Sequence, residues 1–198
     1  MSEIRSICIW IVYQPQNGEY NIAMTDEPVT THLEDTAYKL RITTECFIFS
    51  PTRLLLFQRD PNGSFSPGYW SIPGGHIDTD EDAMTSCMRE ISEETGIELK
   101  PYQIHLSYIA HHIHLDRKEI WNIFGFKAML DSEPAVTQTT SEGEPAWIKL
   151  TDLETLPVFI PVAHYLKHVL DPNGSILFSS SEWEHVQLKS VLTESYSR

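Results

Sequence analysis

The chain has too few cysteines for a disulfide framework and too few cations to grip a polyanion. Its three cysteines, Cys8, Cys46 and Cys87, are odd in number, widely spaced and free of any CxxC pair. That usage points to free thiols in a reducing compartment, and so to a cytoplasmic location. Lysine and arginine together number 14 against 28 acidic residues, a formal charge of -14. Such a chain lacks the clustered basic surface that a nucleic-acid polymer requires. Also missing is an apolar run near the roughly 18 residues that span a bilayer. The opening MSEIRSICIWIVY is followed by polar QPQNGEYN in place of a small-residue cleavage site, so no signal peptide is expected. Neither a nucleic-acid polymer nor a membrane is an expected partner. A phosphate-rich small molecule is not excluded, because divalent cations can bridge acid to acid.

What is present is enough for one ordinary domain with terminal additions: 198 residues, of which 41% are hydrophobic. Residues 1–40 read as an extension, a β-hairpin over IRSICIWIVY and EYNIAM turning at Gln16, Asn17 and Gly18, then a polar connection. Residues 41–170 form the main body. There ITTECFIFS, RLLLFQRD, QIHLSYIAHHIHL, KEIWNIFGFKAML and AWIKL read as strands, with a helix after SIPGGHID and another over FIPVAHYLKHVL. Residues 171–198 are a tail with a helix expected around EWEHVQLKSVL. The class is α/β with a mixed sheet.

The helix after SIPGGHID carries the chemistry. Thr79 or Asp80 is expected to cap it, with Asp82 completing a capping box and Gly96 as a left-handed terminator. Met84, Cys87, Met88 and Ile91 recur at i, i+3, i+4 and i+7, so one face packs on the core. Glu90, Glu93 and Glu94 stand together on another face, where like charges at that spacing repel. Such carboxylates offer hard oxygen ligands suited to Mg²⁺ or Mn²⁺. Just upstream, Gly74 and Gly75 follow Pro73, and a backbone without Cβ lets a bound group approach closely.

From Gly75 the chain reads GHIDTDEDAMTSCMREISEETGI, with Gly75, Glu81, Arg89, Glu90, Glu93, Glu94 and Gly96 at fixed spacings and Ile91 and Ile97 at the aliphatic positions. This resembles the Nudix box of MutT-like hydrolases at every fixed position. Chance would match those seven residues with a probability on the order of 10⁻⁹ per window. RLLLFQR, WSIPGG and SEGEPAW also look like this family, so the resemblance runs over about residues 42 to 170.

The resemblance implies an α/β/α sandwich that hydrolyses, with Mg²⁺ or Mn²⁺, the pyrophosphate of a nucleoside diphosphate linked to another moiety. It implies Glu90, Glu93, Glu94 and the Gly75 carbonyl as metal ligands, with Glu93 alternatively the base for the attacking water. Arg89 would orient the helix carboxylates, with Glu81 as its acidic partner. Arg59 would reach a substrate phosphate, and Gly74 and Gly75 would line the substrate. Glu142, or Glu144 in its place, would complete the metal site or act as base. The alternative is a Nudix-fold binding module that holds a nucleotide without turning it over. The N-terminal hairpin could add to the sheet, wall the pocket or serve a homodimer contact.

Other residues are read more plainly. His111, His112 and His114 invite a zinc reading, but strand alternation splits His111 from the other two. Cys87 lies on the packed stripe of the helix. Tyr69, Trp70, Trp121 and Phe124 could stack on a base but suit a core equally, so base recognition stays unassigned.

Overall fold

The computed structural model describes residues 38–63, 66–138, 140–141, 143–171, 174–184 and 187–196, the last of these by backbone alone. The hairpin expected over residues 4–24 lies outside the described residues. The elements in chain order are β1 (Lys39–Phe49), β2 (Arg53–Arg59), β3 (Trp70–Ser71), β4 (Gly74–His76), α1 (Ala83–Thr95), β5 (Ile104–His114), β6 (Glu119–Met129), β7 (Gly143–Lys149), α2 (Ile160–Val169), β8 (Ile176–Glu184) and β9 (Gln187–Tyr196).

The described strands form one sheet in the order β3-β2-β1-β6-β5-β8-β9, with β4 on β1 and β7 on β2. It is mixed: β1 runs parallel to β6 and β5 parallel to β8, while the other pairs are antiparallel. β1 and β6 are central strands, and their sequences show it, since apolar residues fall on both faces. In β1, Cys46 and Ile48 point one way and Phe47 and Phe49 the other, all four buried.

Those two faces carry separate cores. Cys46, Ile48, Leu55 and Phe126 pack with Cys87 and Ile91 of α1. Phe47, Phe49, Leu54 and Tyr108 pack with Val162 and Tyr165 of α2. The helices therefore lie on opposite faces, the α/β/α sandwich expected from the sequence. Among the described residues, no helix is long and apolar enough to cross a membrane.

Two local expectations are corrected. Asp82, not Thr79 or Asp80, caps α1: its Oδ1 accepts the N–H groups of Met84 and Thr85, each at 2.9 Å. The helix thus starts at Ala83, and no capping box runs from Thr79. At the other end Gly96 takes the left-handed conformation at φ 76° and donates to Ser92 O, as the sequence suggested. The second correction concerns the tail, where β8 and β9 replace the expected helix. Leu177, Ser179, Ser181 and Trp183 are buried in β8 while Phe178 and Glu182 are exposed, a period of two that fits a sheet and not a helix.

Candidate active site

The end of β4 and the start of α1 fold around Arg89. Its guanidinium is held by Glu81 as a fork, Nε donating to Oε1 at 2.8 Å and Nη2 to Oε2 at 3.0 Å. Its Nη1 reaches Glu90 at 2.9 Å and Glu93 at 3.1 Å. Its Nη2 also donates to the His76 carbonyl at 3.2 Å, which ties the helix to β4. The Glu81 hydrogen bond, together with those of Glu90, holds the guanidinium charged, and Arg89 in turn keeps the Glu81 carboxyl below the usual carboxylate range. The repulsion expected among the glutamates of α1 is thus relieved within the protein, one arginine neutralising part of each carboxylate.

Glu94 stands apart from that fork. It is 8% exposed, and its Oε2 accepts the Gly74 N–H at 2.9 Å. Two glycines make this close approach feasible. A Cβ on Gly75 would fall on the Glu90 carboxyl, and one on Gly74 would fall on the Thr44 carbonyl across the β1–β4 pair. Only a chain without side chains there lets the carboxylates sit against the β4 backbone.

The resulting pocket has a volume of about 310 Å³ and is lined by Gly74, Gly75, His76, Asp78, Arg89, Glu90, Glu93, Glu94, Thr140 and Ser141. Beside Thr140, which lines the pocket, β7 begins: the Thr140 N–H donates to the Gly143 carbonyl at 3.1 Å and the Gly143 N–H returns to the Thr140 carbonyl at 3.3 Å. Among the described residues, no three His, Cys, Asp or Glu side chains converge as they stand into a cation cage. The reason is visible in the contacts: Glu90 and Glu93 turn to Arg89, and Glu94 to Gly74. The donor set nevertheless fits a hard divalent cation, being carboxylate oxygens beside a backbone cradle that a Cβ would fill.

The structure brings Gly74, Gly75, Arg89, Glu90, Glu93 and Glu94 together in the pocket. Arg59 is not among its lining residues. It ends β2 opposite Gly143, with its own N–H on the Tyr69 carbonyl at 2.9 Å. Glu142 lies outside the described residues, and Glu144 is exposed on β7 opposite Gln58. His76, Asp78, Thr140 and Ser141 went unmarked by sequence reasoning. Asp78 is a variable position inside the box, and the others are loop or strand-end residues with no periodicity to flag them.

On the α2 face a second polar group is built into the sheet. The Tyr108 hydroxyl donates to Glu45 Oε1, and the Tyr108 ring covers Gly125, where a Cβ would strike it. Tyr108 stacks on Tyr165 at 4.2 Å between centroids, and the Tyr165 hydroxyl meets His112 Nε2 at 2.8 Å. Burial lifts the Glu45 carboxyl to about 7, with the Tyr108 hydroxyl pulling the other way. Burial also lowers His112 to about 3. His111 points elsewhere, to Asn122 at 2.7 Å. The histidines therefore make no common metal site. Of the candidate stacking residues, Trp70 and Trp121 pack against the α2-side core and Phe124 against the α1-side core. Tyr69 is 44% exposed.

Residues 39–169 match the model of the NUDIX domain. YvcI, a Nudix hydrolase of Bacillus subtilis, is 28% identical over 138 residues, covering 68% of this chain and 82% of the relative. The phosphatase NudJ of Escherichia coli is 31% identical over 64 residues, a match that spans only 40% of its length. Among solved structures, a MutT protein from Bacillus halodurans superposes with a TM-score of 0.66 at 26% identity, covering 78% of this chain and 97% of that one. With the box complete from β4 to the end of α1, the sandwich in place and the family model matching from β1 through α2, the chain belongs to the Nudix family of hydrolases.

Proposed function

We propose that this Nudix enzyme hydrolyses the pyrophosphate bond of a nucleoside diphosphate linked to another moiety, such as a nucleoside triphosphate or a nucleotide sugar, with Mg²⁺ or Mn²⁺. The single observation that carries the reading is the clustering of Glu90, Glu93 and Glu94 of α1 against Gly74 and Gly75 in one open pocket. Glu90, Glu93, Glu94 and the Gly75 carbonyl are the groups that would hold the cation. When bound, the cation neutralises charge on the phosphate oxygens and lowers the pKa of water beside it.

The protein's own residues have distinct work in this reading. Arg89 holds Glu90 and Glu93 in register through Nη1, and Glu81 fixes Arg89 from behind. A bidentate fork of this kind aims the carboxylates without closing the pocket over them. Glu93, 59% exposed at its side chain, is the carboxylate best placed to take a proton from water entering the pocket mouth. Glu142 is the second candidate base by family resemblance. Gly74 and Gly75 let a phosphate lie against the backbone, and Arg59 is the candidate cation for the rest of the polyphosphate. Thr140 and Ser141 also line the pocket and bring hydroxyl-bearing side chains to its surroundings.

The test is phosphate or nucleotide release across a panel of nucleoside triphosphates, nucleotide sugars and dinucleotides with Mg²⁺ or Mn²⁺. At least one substrate should turn over, and Glu94→Gln should lower kcat by about 100-fold or more. A protein that binds a nucleotide tightly and turns over none of the panel would be a binding module instead.

A further inference from the structure

The carboxylate pocket is bordered by His76, and the exposed His76 ring begins a row of rings on the α2 face of the sheet. Its centroid lies 5.6 Å from Trp121. Trp121 is 6.2 Å from His114, and His114 is 6.3 Å from Trp183. Trp183 in turn lies 5.6 Å from the buried His112. Four different strands, β4, β5, β6 and β8, supply this row.

Trp121 is held by its edge. Its indole N–H donates to Glu119 Oε2 at 3.1 Å, and Arg41 takes the other oxygen of the same carboxylate at 3.2 Å. The ring is thereby anchored while remaining half-buried, with part of its surface open. Behind it Trp183 is 4% exposed, with its own N–H on Ser181 Oγ at 2.7 Å. Trp183 belongs to β8, beyond the segment 39–169 that matches the family model.

The row is suited to a ring and not to a phosphate. Burial holds His112 neutral down to about pH 3, and burial with the push of Arg117 holds His114 neutral down to about 4. With His112 and His114 neutral, the row offers flat polarisable faces and edges, the surface on which bases stack with little dependence on sequence.

We propose that His76 and Trp121 form the subsite for the nucleobase of the substrate, with His114 and Trp183 as positioning residues behind them. The proposal rests on the pyrophosphohydrolase reading for the place of the phosphates, which lie on the other side of His76. The row is continuous with the pocket through that one residue, so a group leaving the pocket on the β4 side meets His76 and then Trp121.

The experiment is an equilibrium titration of the full chain, with Mg²⁺ present, using the nucleoside 5′-monophosphates AMP, GMP, CMP and UMP and, as the base-free probe, ribose 5-phosphate. At least one monophosphate should bind about ten-fold or more tightly than ribose 5-phosphate. Trp121→Ala should erase that preference while leaving ribose 5-phosphate affinity unchanged, and Trp121→Phe should retain most of it. His76→Ala, at an exposed position, should lower the preference several-fold and covers the case in which Trp121→Ala does not fold. An undiminished preference in folded Trp121→Ala, or in His76→Ala where that variant fails to fold, would overturn the proposal. So would the absence of any preference in the wild type. Base preference that depends on Trp121 in a protein inert on every pyrophosphate would uphold the subsite and sink the hydrolase reading, so the two fail separately.

Discussion

The two faces of the sheet are built from alternate residues of the same strands, yet they differ in kind. Under α1 the core is mainly aliphatic and thiol, with Ile48, Leu55, Cys87, Ile91 and Ile104 around the single buried ring of Phe126. Under α2 it is aromatic, with Phe47, Phe49, Tyr108 and Tyr165, and it encloses a hydrogen-bonded set of Glu45, His112 and two tyrosine hydroxyls. The first face buries hydroxyls, Thr44, Ser86 and Thr95, and presents the α1 carboxylates to the pocket, whereas the second holds an imidazole and two tyrosine hydroxyls inside. A close-packed bed suits a helix that must hold charges within hydrogen-bond distance of a strand, because its low compressibility leaves the helix little room to shift. Buried polar groups on the other face must each find a partner, which fixes the tyrosines and histidines in one arrangement.

That contrast can be broken from either side. Ile91→Ala removes a fully buried side chain from the bed of α1 and should cost about 3 kcal/mol of unfolding free energy, read by denaturant titration. Gly75→Ala should leave stability less affected while displacing the Glu90 carboxyl. A misplacement of about 1 Å there should lower kcat by about 100-fold. If Ile91→Ala proved nearly neutral, the bed would not be what holds the helix.

On the α2 face, Tyr165→Phe removes the hydroxyl that partners His112 and should cost about 1 to 2 kcal/mol, by the same measurement, because the imidazole stays buried. Glu45 gives an effect that is read as a pH signature. Its folded carboxyl titrates at about 7 against an ordinary value of 4.5. Between those values the folded protein keeps a proton that the unfolded chain has released, so this group's contribution to stability falls as pH rises through the window. His112, lowered to about 3 from 6.5, contributes in the opposite sense, its stability being lost as pH falls below 6.5. Glu45→Gln should therefore remove a decline of about 3 kcal/mol between pH 4.5 and 7.5, leaving the rise due to His112. A variant with the same pH profile as the wild type would show that Glu45 is not a buried titrating group.

The α1 side was legible in the sequence because two independent patterns coincide there. A 3.6-residue apolar seam gives the helix, and the spacing from Gly75 to Ile97 gives the carboxylate cluster. The charge pairing was not legible from the crowded glutamates alone, which suggest missing cations; the family resemblance implied Arg89 with Glu81 as its partner, and the folded chain sets Arg89 between Glu81, Glu90 and Glu93. The α2 side was mostly hidden. Tyr108, His112 and Tyr165 are distant in sequence, and only the β-bulge between Leu106 and Tyr108 with the packing of α2 brings them together. In the tail, the inward positions of ILFSSSEWE include Ser179 and Ser181, so hydropathy does not alternate although burial does. The partner that makes β8 a strand is β5, some 70 residues earlier in the register Tyr108↔Leu177, and no local window contains it.

The central claim is that the carboxylates on α1 hold a divalent cation for pyrophosphate hydrolysis, and Mn²⁺ binding tests it most directly. Free Mn²⁺ can be followed by electron paramagnetic resonance as protein is titrated, with wild type, Glu90→Gln and Glu94→Gln compared and folding checked by thermal melts. Saturable binding by the wild type, weakened about ten-fold or more in both variants without loss of fold, is the predicted result. Equal Mn²⁺ affinity in all three proteins would contradict it.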